Sequence, residues 1–328
     1  MDKRVSIKAV GLISGGLDSA LATKIIKLQG IEVLGIAFIT PFMHPRIEKI
    51  AQNIGIKIKI IDTSLEYLDL IKNPCFGFGS NLNPCIDCHI FMLKKAKEFM
   101  FKSKADFIIS GEVLGQRPMS QNKPALRKIE KEAGLEGLLL RPLSGKLLYP
   151  TIPEQKGWVE RSSLFDFSGR SRKPQIELAK QLGLEGFSQP AGGCLLTDPA
   201  FSQRLRDLMI YQREFNLDDI QLLKLGRHFR LSDQAKLVLG RNQGENQRLI
   251  SFFQSGNLLL EPIDIAGPTG ILKAESVSRE MLELSASILA RYCDSDNGYI
   301  HISVEDDKGS QIIRCSVAKS EDIDSLRI

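Results

Sequence analysis

At 328 residues, with 43% hydrophobic and 25% charged side chains, the chain has the make-up of a globular protein long enough for two domains, without repeats, low-complexity tracts or a long like-charge tail. The formal net charge is +5, with a basic excess over residues 1–199 and an acidic excess over 256–328, a distribution that suits a polyanionic partner for the first part. No apolar run reaches the roughly 20 residues that span a bilayer, and the opening MDKRVSIKAVGLISGG meets glycine too soon for a signal peptide, so the expectation is a cytoplasmic protein with no membrane partner.

The first elements alternate. VSIKAVGLI reads as a buried strand and DSALATKIIKLQG as a helix with apolar residues at helical spacing and a glycine stop. IEVLGIAFIT is a second strand, PRIEKIAQNIG a second helix and IKIKIID a third strand. After a loop, CHIFMLKKAKEFMFKSK reads as a basic helix and ADFIISGEV as a fourth strand. Such an order predicts an α/β fold: a mostly parallel sheet flanked by helices on both faces, with ligands at the carboxyl ends of the strands. Residues 117 to about 195 are rich in Arg, Lys, Gly and Pro and hold one predicted helix, SRKPQIELAKQLGL, and a turn, QPAGGC. The expected boundary falls at 198/199, giving an α/β domain over 1–198 and a smaller α+β domain over 199–328. The second contains the helices FSQRLRDLMIYQREF and VSREMLELSASILARYC, the strand AKLVLGRN, and a hairpin of GYIHISVED and QIIRCSVAK across a Lys-Gly-Ser turn.

SGGLDSA, residues 14–20, lies between the first strand and the first helix. Gly15 and Gly16 let backbone approach an anion closely, the helix N-terminus supplies positive potential, and Ser14 and Ser19 add hydroxyl donors. Asp18 repels phosphate unless a cation stands between them, which makes it a natural Mg²⁺ partner. A plain capped turn is the alternative. No lysine follows the glycines, so the pattern is not a Walker loop. SGGLDS resembles the SGGxDS motif of the PP-loop ATP pyrophosphatase superfamily. That resemblance implies ATP as substrate, cleavage between the α and β phosphates, and transfer of AMP to a carbonyl oxygen.

The six cysteines are Cys75, Cys85, Cys88, Cys194, Cys293 and Cys315. In a reducing compartment, clustered cysteines point to metal or redox chemistry. Cys85 and Cys88 stand at the edge of the basic helix, where helix dipole and lysines favour thiolates. NPCIDC, residues 83–88, is similar to the NPCxxC element of bacterial tRNA 2-thiouridine synthases, and Cys194 takes roughly the place of their second catalytic cysteine, although PAGGCLL departs from their local sequence. The resemblance implies one of two roles. Either Cys194 carries a persulfide resolved by Cys85 or Cys88, or all three hold a [4Fe–4S] cluster with one iron open for hydrosulfide, as in the three-cysteine thiolase branch. Zinc, with His89 as a fourth ligand, is the structural alternative. Cys75, Cys293 and Cys315 read as bystanders.

SGEVLGQRPMSQ places Ser110, Gly111, Glu112, Gln116, Arg117 and Gln121 beyond the fourth strand. In related enzymes this strand end contacts ATP, so Gly111 is expected to admit the nucleotide and Arg117 to neutralise phosphate charge. Arg141, Lys146, Arg170, Arg172 and Lys173 suit phosphates of pyrophosphate or RNA, or a solvated surface. GRNQGEN, residues 240–246, resembles the RNA-binding module of ribosome-associated quality-control proteins; it implies RNA contacts from Arg241, Asn242 and Asn246, against a hydrogen-bonded turn.

The implied activity is ATP-dependent sulfur insertion into a tRNA uridine, with tRNA and an external sulfur donor as partners. The sequence carries no recognisable amino-terminal RNA-capture domain or rhodanese-like tail. It does not decide which uridine, which donor, or monomer against dimer. A sulfur transferase acting on a small molecule, an amidating ligase and a non-enzymatic RNA-binding factor remain as rivals.

Overall fold

The computed structural model describes residues 6–45, 47–185, 194–254, 256–263, 265–294 and 298–328. The chain divides into two compact units, Met1–Thr197 and Asp198–Ile328. The turn expected from QPAGGC lies outside the described residues except for Cys194.

In the first unit, strands β1 (Lys8–Leu12), β2 (Glu32–Ile39), β3 (Ile58–Asp62), β4 (Phe107–Ile109) and β5 (Leu139–Leu140) form one parallel sheet in the order β3-β2-β1-β4-β5. Alternation along the strands feeds two cores. Ala9, Phe107 and Ile109 face one side, where helices α1 (Leu17–Leu28), α2 (Glu48–Ile54) and α7 (Lys173–Gln181) pack. Val10, Ile36 and Ile108 face the other, against α4 (Cys85–Lys102) and α5 (Lys123–Glu132). Burial on both faces is why these strands read as near-continuous apolar runs. The remaining helices are α3 (Ser64–Lys72) and the single turn α6 (Ile152–Gln155). The expected α/β class is therefore the one adopted, with α3, α5 and β5 as additions.

Strand order reverses between β1 and β4, where Gly11 stands opposite Ile109. This is a topological switch point, and crevices for ligands open there at the strands' carboxyl ends. Both the Ser14–Ser19 turn and the loop from Ser110 begin at this place.

The second unit holds a six-stranded antiparallel sheet in the order β11-β10-β8-β9-β7-β6. Its elements are α8 (Pro199–Tyr211), α9 (Leu217–Leu222), β6 (Arg227–Ser232), β7 (Ala235–Leu239), α10 (Gln243–Ile250), β8 (Asn257–Pro262), β9 (Gly270–Ala274), α11 (Arg279–Ala290), β10 (Tyr299–Asp306), β11 (Gly309–Ser316) and α12 (Ser320–Asp324). Leu237, Leu260, Leu272 and Ile302 pack beneath Ala286 and Leu289 of α11. The expected hairpin is β10–β11, with Asp306 paired to Gly309, so its turn centres one residue before Lys-Gly-Ser.

Candidate active site

The turn after β1 is tied into a compact loop by its own side chains. Ser19 Oγ donates to the Gly16 carbonyl at 2.8 Å and lies 3.3 Å from both the Ser14 nitrogen and Ser14 Oγ. Gly15 has φ of 83°, a conformation that favours glycine. Gly16 is the N-cap of α1 and offers no side-chain cap, so the first backbone N–H groups of this 12-residue helix lack that partner, as an anion-binding N-terminus requires.

Asp18, in the first turn of α1, is held by the loop beyond β4. Gln116 Nε2 donates to Asp18 Oδ2 at 2.8 Å, and Arg172 Nη2 stands 3.5 Å from Oδ1. Gln175 Nε2 in turn donates to Gln116 Oε1 at 3.2 Å. Arg172 Nε and Gln175 Oε1 are buried without hydrogen-bond partners. Arg172, expected as one member of a basic cluster, thus stands beside the acid of the turn, while Lys146, Arg170 and Lys173 are exposed.

Gly111 and Glu112 connect this turn to the cysteine helix. A Cβ on Gly111 would lie 2.5 Å from the Ser19 nitrogen and 2.6 Å from the Asp18 carbonyl carbon. Glu112 faces away and is buried, accepting from Arg141 Nε at 2.9 Å, sharing a 2.7 Å bond with His89 Nδ1 and accepting from Ser110 Oγ at 2.9 Å. Burial pushes the Glu112 pKa up, but Arg141 and His89 outweigh it and hold the carboxyl well below the usual range. Arg141 also pairs with Glu130 at 2.9 Å and is itself buried, so it is a structural cation and not the phosphate-facing residue expected. His89, the expected alternative zinc ligand, is engaged by Glu112.

Cys85 opens α4 and Cys88 follows one turn later, on the same side of the helix. Asp87, between them, is buried and accepts the backbone N–H groups of Cys75 and Phe76 at 2.8 Å and 3.1 Å. It folds the preceding loop onto the helix start. Cys194 joins from far along the chain: Leu195 donates to the Phe42 carbonyl at 3.0 Å, and Phe42 packs 5.8 Å from the Tyr67 ring. Cys88 is close enough to Cys85 and Cys194 to feel the charge of both, and buried Tyr67 feels all three. Cys194 in turn feels Arg117, the neighbour of Gln116. Cys85 and Cys194 thus both lie within electrostatic reach of Cys88, and Arg117, within reach of Cys194, neighbours the Gln116 that binds Asp18.

The Cys88 thiol is shifted in the direction opposite to that expected from the helix dipole. Burial pushes the Cys88 thiol up to about 12, against the lowering effect of a hydrogen bond from the Tyr67 hydroxyl, and pushes Cys194 up to about 11. Desolvation outweighs the opposing contributions, which are the Tyr67 hydrogen bond at Cys88 and the Leu196 backbone and Arg117 at Cys194, and neighbouring thiols add to the upward shift. Among the described residues no set of three or more Cys, His, Asp or Glu side chains is arranged to hold a metal ion.

In the second unit the GRNQGEN segment is largely self-satisfied. Asn242 caps α10 by accepting from the Glu245 nitrogen at 3.0 Å, Glu245 pairs with Arg241, and Asn246 Nδ2 donates to the Gly267 carbonyl at 3.2 Å. Asn242 and Asn246 shape the turn; Arg241 remains exposed.

Residues 4–147 match the family described as thiamine biosynthesis protein (ThiI), and residues 226–327 match the NFACT protein RNA binding domain. The chain resembles two families in tandem. The PP-loop resemblance of SGGLDS and the RNA-module resemblance of GRNQGEN are both borne out, on the ThiI-like and NFACT-like parts respectively. Among curated relatives, the tRNA-specific 2-thiouridylase MnmA of Karelsulcia muelleri is 32% identical over 130 residues, covering 36% of this chain and 34% of that protein. MnmA of Nitratiruptor is 26% identical over 121 residues, 33% of this chain and 35% of that one. The chain thus spans about a third of the length of these two. MnmA of Petrotoga mobilis is 22% identical over 308 residues, 84% of this chain and 78% of the relative. A solved 4-thiouridine synthetase–RNA complex with bound ATP is 21% identical, covers 66% of this chain and 52% of its own, and has a TM-score of 0.40. No helix among the described residues is long and apolar enough to cross a membrane.

Proposed function

We propose that this protein is an ATP-dependent, AMP-forming sulfurtransferase that converts a tRNA uridine to thiouridine. The observation that carries the reading is that Cys85 and Cys194 lie within electrostatic reach of Cys88 in the same unit as the Ser14–Ser19 turn, with Arg117 of the loop 110–121 within reach of Cys194. The MnmA and ThiI resemblances support it from the sequence side, and the NFACT-like unit supports RNA as the substrate class.

In this reading the triphosphate lies over the N-terminus of α1, where Ser14, Gly15, Gly16 and Ser19 surround it with backbone and hydroxyl donors. Gly111 lets the loop after β4 close onto the Asp18–Ser19 backbone of that turn, and Arg117 and Arg172 face the triphosphate charge. The Asp18 carboxylate suits Mg²⁺, since Oδ1 has only the 3.5 Å contact with Arg172; a bound Mg²⁺ would neutralise phosphate charge there. The uridine carbonyl oxygen attacks the α-phosphorus and pyrophosphate leaves. A sulfide sulfur from an external donor then bonds to the same ring carbon, and AMP departs with the former uridine oxygen. Preorganised donors around the α-phosphate stabilise the charge that develops.

Cys85, Cys88 and Cys194 are the sulfur-handling set. Zinc is disfavoured because His89 is held by Glu112 instead of serving as a fourth ligand, and a [4Fe–4S] cluster would require the three thiols to close around it, since no set of three or more Cys, His, Asp or Glu side chains among the described residues is arranged to hold a metal ion. Bound by three thiolates, such a cluster would offer one open iron to hydrosulfide. The chain's own contribution is to hold Cys88 and Cys194 half-buried within electrostatic reach of one another, with Arg117 of the loop 110–121 acting on Cys194.

The test uses anaerobically purified full-length protein with ATP, Mg²⁺, sulfide and tRNA, followed by mass spectrometry of nucleosides and assay of AMP, iron and sulfide. Thiouridine and AMP are expected together. Cys194→Ala is expected to abolish thiouridine with ATP binding nearly intact; an undiminished thiolated nucleoside would remove Cys194 from the mechanism. The description of the matched family as thiamine biosynthesis favours, as a second reading, sulfur transfer to a small molecule. Failure of tRNA to stimulate AMP formation would favour that reading.

A further inference from the structure

The first unit presents an aromatic side chain to solvent from a rigid backbone, which core packing does not require. Tyr149 is 81% exposed. The chain around it is pinned: Arg161 Nη2 donates to the Lys146 and Leu148 carbonyls at 3.2 Å and 3.0 Å, and Gln155 Nε2 donates to the Pro150 carbonyl at 3.2 Å. The Arg127 guanidinium lies 5.8 Å from the Tyr149 ring centroid. A large ring that gains nothing from burial, set on a held loop beside a guanidinium, has the form of a stacking platform.

Arg127 belongs to α5, whose two sides differ sharply. Ala125, Leu126 and Ile129 are buried in the unit, while Lys123, Arg127, Lys128 and Lys131 are exposed at helical spacing. Of the acids on α5, Glu130 is occupied, its carboxylate binding Arg141 and the Gly137 nitrogen, and exposed Glu132 is a single charge against four cations, so the stripe keeps a positive excess. At its start α5 follows directly on the loop 110–121. Along its length the Lys128 ammonium lies 4.9 Å from the ring of Phe76, in the loop that Asp87 folds against the cysteine helix. The stripe thus begins at the nucleotide loop, meets Tyr149 at Arg127 and the loop before Cys85 at Lys128, and ends at Lys131.

Resting on the thiolation reading above, we propose that α5 and Tyr149 form an RNA-docking surface on the ThiI-like unit, separate from the NFACT-like unit. Lys123, Arg127, Lys128 and Lys131 follow the phosphate backbone, and an unpaired base stacks on Tyr149. RNA is the occupant because the surface combines a net cationic stripe with a solvent-facing ring, and single-stranded RNA supplies phosphates and an open π-face together. The surface would lead an RNA strand from Tyr149 toward Cys85 and the nucleotide.

The experiment measures binding of unfractionated bacterial tRNA to the full-length protein over a KCl series. The variants are Tyr149→Ala, Tyr149→Phe and the double variant Arg127→Ala/Lys131→Ala, all exposed positions, with thermal unfolding as the folding control. Tyr149→Ala is expected to weaken binding about tenfold, Tyr149→Phe to restore it, and the double variant to flatten the slope of log affinity against log salt by roughly 2. Wild-type binding that all three variants reproduce, with the same slope, overturns this surface and leaves the thiolation reading standing. A wild-type protein that binds no tRNA overturns both.

Discussion

Gln116 and Asp18 are joined by a 2.8 Å bond from the Gln116 amide to the Asp18 carboxylate, across 98 residues of sequence. The bond locks the loop after β4 to the first turn of α1, and Gln116 is itself steadied by Gln175. Gln116→Ala removes the donor without touching the turn. ATP affinity is expected to fall roughly tenfold, the worth of about one hydrogen bond to a charged group. Calorimetric titration with ATP and Mg²⁺ measures it; an unaltered affinity would mean that Asp18 needs no such orientation.

Gly111 is the second link across the switch point. Its missing Cβ would stand 2.5 Å from the Ser19 nitrogen, where the obstacle is backbone and cannot rotate aside. Gly111→Ala should therefore displace the turn, costing about 1–3 kcal/mol of stability and weakening ATP binding with it. Urea unfolding together with nucleotide titration tests both halves.

Glu112 makes a prediction about acid. Its pKa is depressed in the folded state, so its stabilisation is complete above the ordinary glutamate value of about 4.3 and is lost as pH falls below it. Glu112→Gln is expected to lose about 3–5 kcal/mol at neutral pH, because Arg141 and His89 are left facing a neutral group. Its stability should also decline less steeply than the wild type's in acid. Parallel declines in the two proteins would show that the group does not carry this dependence.

His228 makes the corresponding prediction for the second unit. It is buried, its Nε2 donates to the Leu225 carbonyl at 2.7 Å, and its Nδ1 has no partner. Burial, with Lys236 and Arg204 adding to it, holds its pKa well below the ordinary histidine value of 6.5. The folded state thus keeps the ring neutral, and stability present above about 6.5 drains away as pH falls, when the unfolded chain takes up the proton. His228→Phe should flatten melting temperature against pH between about 6.5 and 5. A wild-type curve already flat there would refute it.

The amino-acid order alone makes several of these features legible. The glycine pair after an apolar run marks the turn, because only permissive backbone next to a helix start makes that pattern. Alternating helical and apolar periods mark the parallel sheet. The structural duties of Glu112, Arg141 and Asp87 are not legible there, since a charged residue in a loop looks the same in sequence whether it is solvated or buried against a partner 29 residues away. Nor are the raised thiols of Cys88 and Cys194, which depend on desolvation by residues such as Tyr67 and Phe42.

By itself, the sequence determined the order of elements, the class of the first sheet, the glycine turn between β1 and α1 and the positions of the cysteines. These follow from local periodicity and from the chemistry of residue types. Only the tertiary structure decided that Cys194 comes within electrostatic reach of Cys85 and Cys88, that Gln116 and Arg172 turn to Asp18, and that Tyr149 stays in solvent beside Arg127. Each of those is a relation between distant segments, set by how the sheet orders its strands and by which side chains burial removes from water.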